Sequence, residues 1–395
     1  MFGERPVSAA AGMAENGDRR DDRRALIAVI AAATAMAVSL SLSLPLVSLS
    51  MAKRGFGGDI IGLMGALPAL SFLITSPLVP GIANRVGAMR MLWAALLLSA
   101  FSIWSLAISD NIYFWFLLRL LIGLSMATLF QISETWINKI AREETRGRTI
   151  AFYVAATTFG FAFGPILINL IGAEGVHPFL ISGAIVLSAG VAFIDVGHRL
   201  PSLDGRGTHS ILSFVKAAPM ISAAVVLVAF FDGSILTLLP VYGLRNGLAQ
   251  EIAVLMTTAV LAGNILLQMP IGWLADRFNR GNLILGCGVI GVAGAILLPF
   301  AMSHPPFLWP MLIIWGGAVV GTYTLALVIM GQEFKGADLV TATAAIGVLW
   351  GFGSLTGPVL AGTAMEIVKP HGMPAVFATA CLVFVGIALF RRRQA

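Results

Sequence analysis

The chain has 395 residues, of which 58% are hydrophobic and 11% charged, with a formal net charge of +6. Ordinary soluble domains carry about 25% charged residues, so this composition argues against a cytoplasmic enzyme. Twelve spans of about 22 residues use about 264 positions and leave about 131 for thirteen tails and connections, which leaves no room for an extramembrane domain of about 100 residues and excludes a receptor kinase or a pump with its own ATPase domain.

Residues 1–24 are polar and charged and are expected to form a disordered cytoplasmic tail. The apolar run from Ala25 to about Ser50 is too long for a signal-peptide core and forms the first span. Further spans are expected near 58–83, 89–108, 112–137, 149–172 and 178–197, which complete an amino-terminal half over 25–197. A polar linker over 198–216 follows. The carboxy-terminal half, 217–390, holds spans near 217–243, 251–275, 282–302, 307–331, 338–367 and 374–390, and a basic tail closes the chain at 391–395. With this layout both termini share one face, which carries twenty Lys and Arg. The other face has four, Lys53, Arg54, Arg245 and Lys369, and Arg119 falls inside a span. The positive-inside rule then puts the termini in the cytoplasm, and the positive charge reports topology rather than a nucleic-acid partner.

The two halves repeat. A shift of 193 residues brings Gly123 onto Gly316, and Gly160, Gly164 and Pro165 onto Gly353, Gly357 and Pro358, so Gly-x-x-x-Gly-Pro occurs once per half as a helix-packing motif. A shift of 192 superposes Asn84-Arg85 on Asp276-Arg277, and one of 195 superposes Pro45 on Pro240. Two parallel six-span repeats can rock about a site between them.

The loop residues Gly272-Trp273-Leu274-Ala275-Asp276-Arg277-Phe278-Asn279-Arg280, and less closely Pro80 to Gly87, resemble the Gly-x-Leu-Ala-Asp-Arg-x-Gly-Arg signature of the major facilitator superfamily. Leu118-Arg119 followed by Gly123 is similar to that family's Arg-x-x-Gln-Gly motif, with Ile122 in place of Gln, and Gly160 to Pro165 resembles its antiporter motif. Glu134-Thr135-Trp136-Ile137-Asn138, Thr145 to Arg148, Leu239 to Tyr242 and Gln268 to Gly272 resemble the bacterial YcaD-type subgroup. The resemblance implies an all-α membrane protein of twelve transmembrane helices in two pseudo-symmetric six-helix halves. It also implies a central cavity lined by the first, fourth, seventh and tenth spans.

An ionisable group inside a membrane is costly and marks a functional hypothesis. Arg119 lies about 10 Å into the fourth span and Asp232 about 20 Å into the seventh, both near the midplane. The repeat matches Arg119 to Leu312 and Asp232 to the apolar neighbourhood of Ala37, so the shared architecture demands neither charge. A carboxyl at that depth can follow, in its protonation, the side to which the cavity opens, which makes Asp232 and Arg119 the expected proton-coupling pair. Gln131, Asn264, Gln268, Trp315 and Tyr323 are weaker expectations as cavity contacts, and Ser39, Ser41 and Ser43 alternate and share no helix face. Asn84, Arg85, Arg90, Glu134, Arg146, Arg148, Asp276, Arg277 and Arg280 are expected to form a cytoplasmic gate of charge-assisted contacts between helix ends.

Two motifs are declined. Gly286-Cys287-Gly288-Val289-Ile290-Gly291 fits a dinucleotide pattern but sits in an apolar run with no strand before it. The five histidines lack metal-ligand spacing, and Cys287 and Cys381 suit buried packing, so no cofactor or metal site is expected. The sequence therefore reads as a monomeric secondary transporter of the bacterial inner membrane that exports a small organic molecule against protons. A uniporter or symporter for a sugar-like or organic acid solute, and a non-transporting sensor or scaffold, are the alternatives.

Overall fold

The computed structural model describes residues 7–140, 146–194, 211–334 and 337–394. Fourteen helices occupy them in the order α1 (Val7–Lys53), α2 (Gly58–Thr75), α3 (Val79–Val86), α4 (Ala88–Ile108), α5 (Ile112–Ile140), α6 (Arg146–Ile171), α7 (His177–Val191), α8 (Ile211–Ala217), α9 (Pro219–Arg245), α10 (Gln250–Arg277), α11 (Arg280–Met302), α12 (Pro305–Glu333), α13 (Ala337–Ile367) and α14 (Gly372–Gln394). Among the described residues eleven helices are long and apolar enough to cross a membrane, and α7, apolar but of 15 residues, takes the sixth place. Helix is the outcome expected of apolar runs in lipid, where every backbone N–H must find its carbonyl within the segment. Proline in the first turn starts α3, α7, α9 and α12, where its missing N–H costs nothing.

Four expected boundaries change. Helix α1 begins at Val7, so the backbone of 7–24 is helical rather than a disordered tail: a run appended to a formed span propagates a helix that needs no new nucleation. The second run breaks at 76–78, because Pro77 donates no N–H and its ring crowds the preceding turn. There Leu78 donates to the Thr75 carbonyl at 2.9 Å, a tighter turn than an α-helix makes. The linker's end, Ile211 onward, forms α8, and the seventh span starts at Pro219. The basic tail is the last turn of α14, with Arg391 Nη2 donating to the Ala217 carbonyl at 3.0 Å and so satisfying the end of α8. Residues 1–6 and the linker stretch 195–210 lie outside the described residues.

The repeat is visible as contact. A Cβ on Gly123 would meet Pro68 of α2, and one on Gly316 would meet the Val260 carbonyl of α10. One on Gly160 would meet the Thr34 carbonyl and Ala37 Cβ, and one on Gly353 the Val226 carbonyl and Ala229 Cβ. In each case the glycine and its partner shift together by 193 and 192 residues, so the same helix pairs touch at the same level in both halves. Because no side chain fits between these backbones, Gly316→Leu should push α12 off α10 and remove folded protein, as read by the monodisperse peak in size-exclusion chromatography; a normal yield would show that the contact is dispensable.

The contacts also correct one register. Asp232 lies between Ala229 and Ser234 on a stretch matched at 192, so its counterpart is Leu40, one turn beyond Ala37. The position is still apolar in the first half.

Candidate functional site

The face bearing the termini is called here the terminal face, and the other the opposite face. Between the halves Leu44 of α1, Ala162 of α6, Leu236 of α9 and Leu261 of α10 form a small core of their own, packed with Leu40 and Phe161. Leu236 is one turn from Asp232 toward the opposite face. This apolar plug therefore lies between the halves, one helical turn beyond Asp232 toward the opposite face.

Arg119 is fully buried, and its Nε and Nη1 have no hydrogen-bond partner. Asp232 is half-buried on α9, its Oδ1 sealed from solvent and also without a partner. The two do not form an ion pair. On α10 the buried Asn264 faces Asp232. With its amide turned so that nitrogen donates, Asn264 reaches the carbonyls of Val260 at 3.2 Å and Gly316 at 2.9 Å, which fixes the side chain against α12. Glu134, exposed near the terminal end of α5, lies within electrostatic reach of Tyr153 on α6 and of Tyr323 on α12, in the other half. Tyr323 meets Trp350 of α13 edge-on, ring centroids 5.3 Å apart.

Two polar pairs sit at matched positions. Gln131 Nε2 donates to Ser76 Oγ at 3.2 Å, joining α5 to the end of α2, and the Thr324 hydroxyl donates to Gln268 Oε1, joining α12 to α10. Shifts of 193 and 192 carry the first pair onto the second. Sequence reasoning had both glutamines but missed Ser76 and Thr324; the repeat, applied to hydroxyl and amide positions, holds the signal. Trp315 is a correction: it is buried, with Nε1 donating to the Gly291 carbonyl at 2.9 Å and its ring 4.8 Å from Phe231. An indole this large fills the seam between α9, α11 and α12 and does not face the space between the halves.

Of the expected gate residues, Asn84, Arg85, Arg90, Asp276 and Arg277 are exposed and Arg280 is half-buried; none of the arginines or Asp276 makes an ion pair among the described residues. Arg277 stacks on Trp273 at 4.0 Å, and Arg280 Nε donates to the Ala275 carbonyl at 3.1 Å. These are contacts within one helix end and do not join the halves. The side chains of Arg146 and Arg148 lie outside the described residues.

The opposite face differs. All four of its cations are paired: Lys53 with Glu174, Arg54 with Asp110 at 2.6 Å, Arg245 with Glu366 at 2.6 Å, and Lys369 with Glu366 at 3.2 Å. The Lys53 ammonium holds the exposed Glu174 carboxyl below the usual carboxylate range. That pairing is present above the ordinary carboxylate pKa and is lost as pH falls through the lowered one. Two hydrogen bonds join the halves here: Gly58 N donates to Glu366 Oε1, and Asn169 Nδ2 to the Glu251 carbonyl at 3.1 Å. The opposite face is thus tied by side-chain hydrogen bonds between the halves, whereas Arg85, Arg90, Asp276, Arg277 and Arg280 make no ion pair at the terminal one among the described residues.

A sequence profile described as Major Facilitator Superfamily matches residues 26–263 and 221–395. An uncharacterized MFS-type transporter, YfkF of Bacillus subtilis, is 27% identical over 351 residues, covering 87% of this chain and 89% of its own. An uncharacterized MFS-type transporter, YcaD of Salmonella enteritidis, is 25% identical and covers 72% of this chain and 74% of its own. Among solved structures, a mutant of a nucleoside transporter, NupG, superposes with a TM-score of 0.76 at 14% identity over 92% of this chain and 99% of its own. A bacterial homologue of the human lysosomal transporter Spinster, in an inward-facing and unoccupied conformation, gives 0.72 at 14% identity over 93% and 95%.

Proposed function

Because the chain belongs to the major facilitator superfamily, we propose that it is a proton-coupled secondary transporter that exports a small organic molecule by alternating access. The observation that carries this reading is a pair of intramembrane charges in opposite halves: Arg119, fully buried with Nε and Nη1 lacking partners, and Asp232, half-buried with Oδ1 lacking one. An ionised group left unpaired in the membrane interior costs several kcal/mol, so a purely structural molecule gains nothing from keeping two. A transporter does gain: Asp232 takes a proton when the space below the plug opens to one side and releases it when it opens to the other. Arg119, which stays charged, supplies the field that makes release favourable once the halves rock.

Several features support the finer parts. The Gly-x-x-x-Gly-Pro seams resemble the antiporter motif. Twenty basic residues on the terminal face against four on the other favour cytoplasmic termini in a bacterial inner membrane. The chain acts as a monomer on a neutral or amphiphilic solute, with aromatic surface at Tyr323 and Trp350 and few charges around it. The reading is transport rather than catalysis: among the described residues no nucleophile, base and orienting group come together.

The test is flux in inverted vesicles with an imposed pH gradient, screened with a panel of small amphiphilic compounds. Compound uptake with substrate-dependent proton release is the expected result. Uptake that ignores the gradient would make the protein a uniporter, and no uptake with any compound would favour the scaffold reading.

A further inference from the structure

We propose that Glu366 is the clamp that holds the opposite face shut, and that the molecule carries this clamp on only one of its two symmetry-related seams. This rests on the alternating-access reading above. The α2·α13 seam is backbone against backbone: a Cβ on Gly62 would fall on the Pro358 carbonyl, and one on Gly362 on the Gly58 carbonyl. At its end Glu366 closes the seam. Its Oε1 accepts from Gly58 N, the first residue of α2, and from Arg245 Nη2 of α9 at 2.6 Å, while Oε2 takes Lys369. The side chains of Arg245 and Glu366 are 26% and 24% exposed, so this is not a fully solvated pair of the kind that contributes nothing. A carboxylate at a helix start also meets the positive end of the helix dipole. One oxygen thus joins both halves.

The repeat shows what is special. A shift of 192 carries the Lys53–Glu174 pair onto Arg245–Glu366, so each half has the same ion pair. Only the second reaches across. Helix α6 ends at Ile171, where Gly172 takes a φ of 84°, and Glu174 is left in a loop, 80% exposed. Helix α13 continues through the equivalent position to Ile367, which fixes Glu366 on its last turn against α2. The matching α6·α10 seam has instead, among the described residues, a lone amide bond from Asn169 to Glu251. The opposite face is therefore pinned along α2·α13 and hung loosely along α6·α10.

The test uses the full chain in nanodiscs, with the buried native cysteines replaced (Cys287→Ala, Cys381→Ala) and spin labels at His177→Cys and Ser303→Cys, exposed sites on the opposite face of each half. Electron–electron distance measurements read the ratio of long to short separations without any substrate. Glu366→Gln, which keeps an acceptor for Gly58 but loses the charge, should raise the ratio several-fold, and Glu366→Ala by about tenfold or more. Arg245→Gln should match Glu366→Gln, and their combination should add little. A merely structural role would lower the melting temperature with the distances unmoved. A long separation populated equally in all variants overturns the clamp while leaving alternating access standing. A lone short separation in every protein, from pH 5 to pH 9, overturns both.

Discussion

Asp232→Asn should abolish proton-driven flux, a loss of at least 100-fold in the rate of gradient-dependent uptake, while the protein folds and is purified in normal amount. Asparagine keeps the shape and the hydrogen-bonding capacity of the protonated acid, so Asn264 and the packing around α9 should be undisturbed. What it cannot do is take up or release a proton. Two readouts separate the steps. Exchange of labelled compound across vesicles without any gradient needs only alternation and should persist, whereas accumulation against a gradient should vanish. If accumulation survives in Asp232→Asn, the proton site lies elsewhere. Glu134, which faces Tyr323 across the halves, would then be the next carboxylate to test.

Arg119→Leu should have two large effects of opposite sign. The substitution puts into the first half the residue the second half already has, since Leu312 stands at the matched position and is fully buried. Removing a buried guanidinium whose Nε and Nη1 lack partners, and filling the site with an apolar side chain, should stabilise the fold by about 1–4 kcal/mol, the range for replacing buried charges by packed hydrophobic residues. Thermal unfolding should therefore shift several degrees upward. Transport should fall to background in the same protein. A variant that is both more stable and inactive would mark Arg119 as kept for function at the expense of the fold. A variant less stable than the parent would mean that its guanidinium is satisfied in ways the described contacts do not reveal, and that the charge is structural. Arg119→Lys keeps the charge without the planar fork, so partial flux there would separate a need for charge from a need for geometry.

How much of this was legible in the sequence depends on residue type. Glycine and proline wrote the repeat plainly: Gly123 and Gly316, Gly160 and Gly353 were paired from spacing, and the contacts put each against the equivalent backbone. A glycine facing a carbonyl tolerates no substitute, so its position survives in the text. Proline misled twice. Pro45 and Pro240 suggested a shift of 195 that put Asp232 opposite Ala37 rather than Leu40, and Pro77 broke a run that hydropathy alone had joined. The plug of Leu40, Leu44, Leu236 and Leu261 was invisible, because a leucine facing its twin across the halves looks the same as one facing lipid. Trp315 was misplaced for a related reason, since an aromatic in a membrane helix signals packing and binding alike. The clamp at Glu366 was missed because counting loop charges treats Arg245 and Lys369 as topology and ignores their acidic partners. The charged start of α1 reads as a tail by composition, whereas continuity with the first span extends the helix through it.

The leucine plug has an electrical consequence. A membrane that stores energy as a potential offers about 2.3 kcal/mol to each elementary charge per 100 mV, and any continuous file of water between the two sides would let protons run down it without turning over a substrate. Leu44 and Leu236 meet from opposite halves with Leu40, Ala162, Leu261 and Phe161 around them, and none of these side chains offers a donor or acceptor to a water molecule. Charge that reaches Asp232 therefore has no wire onward. In the proposed proton-coupled transporter the plug serves as insulation, and the tightness of coupling between proton and cargo should depend on how dry these side chains keep the middle of the molecule.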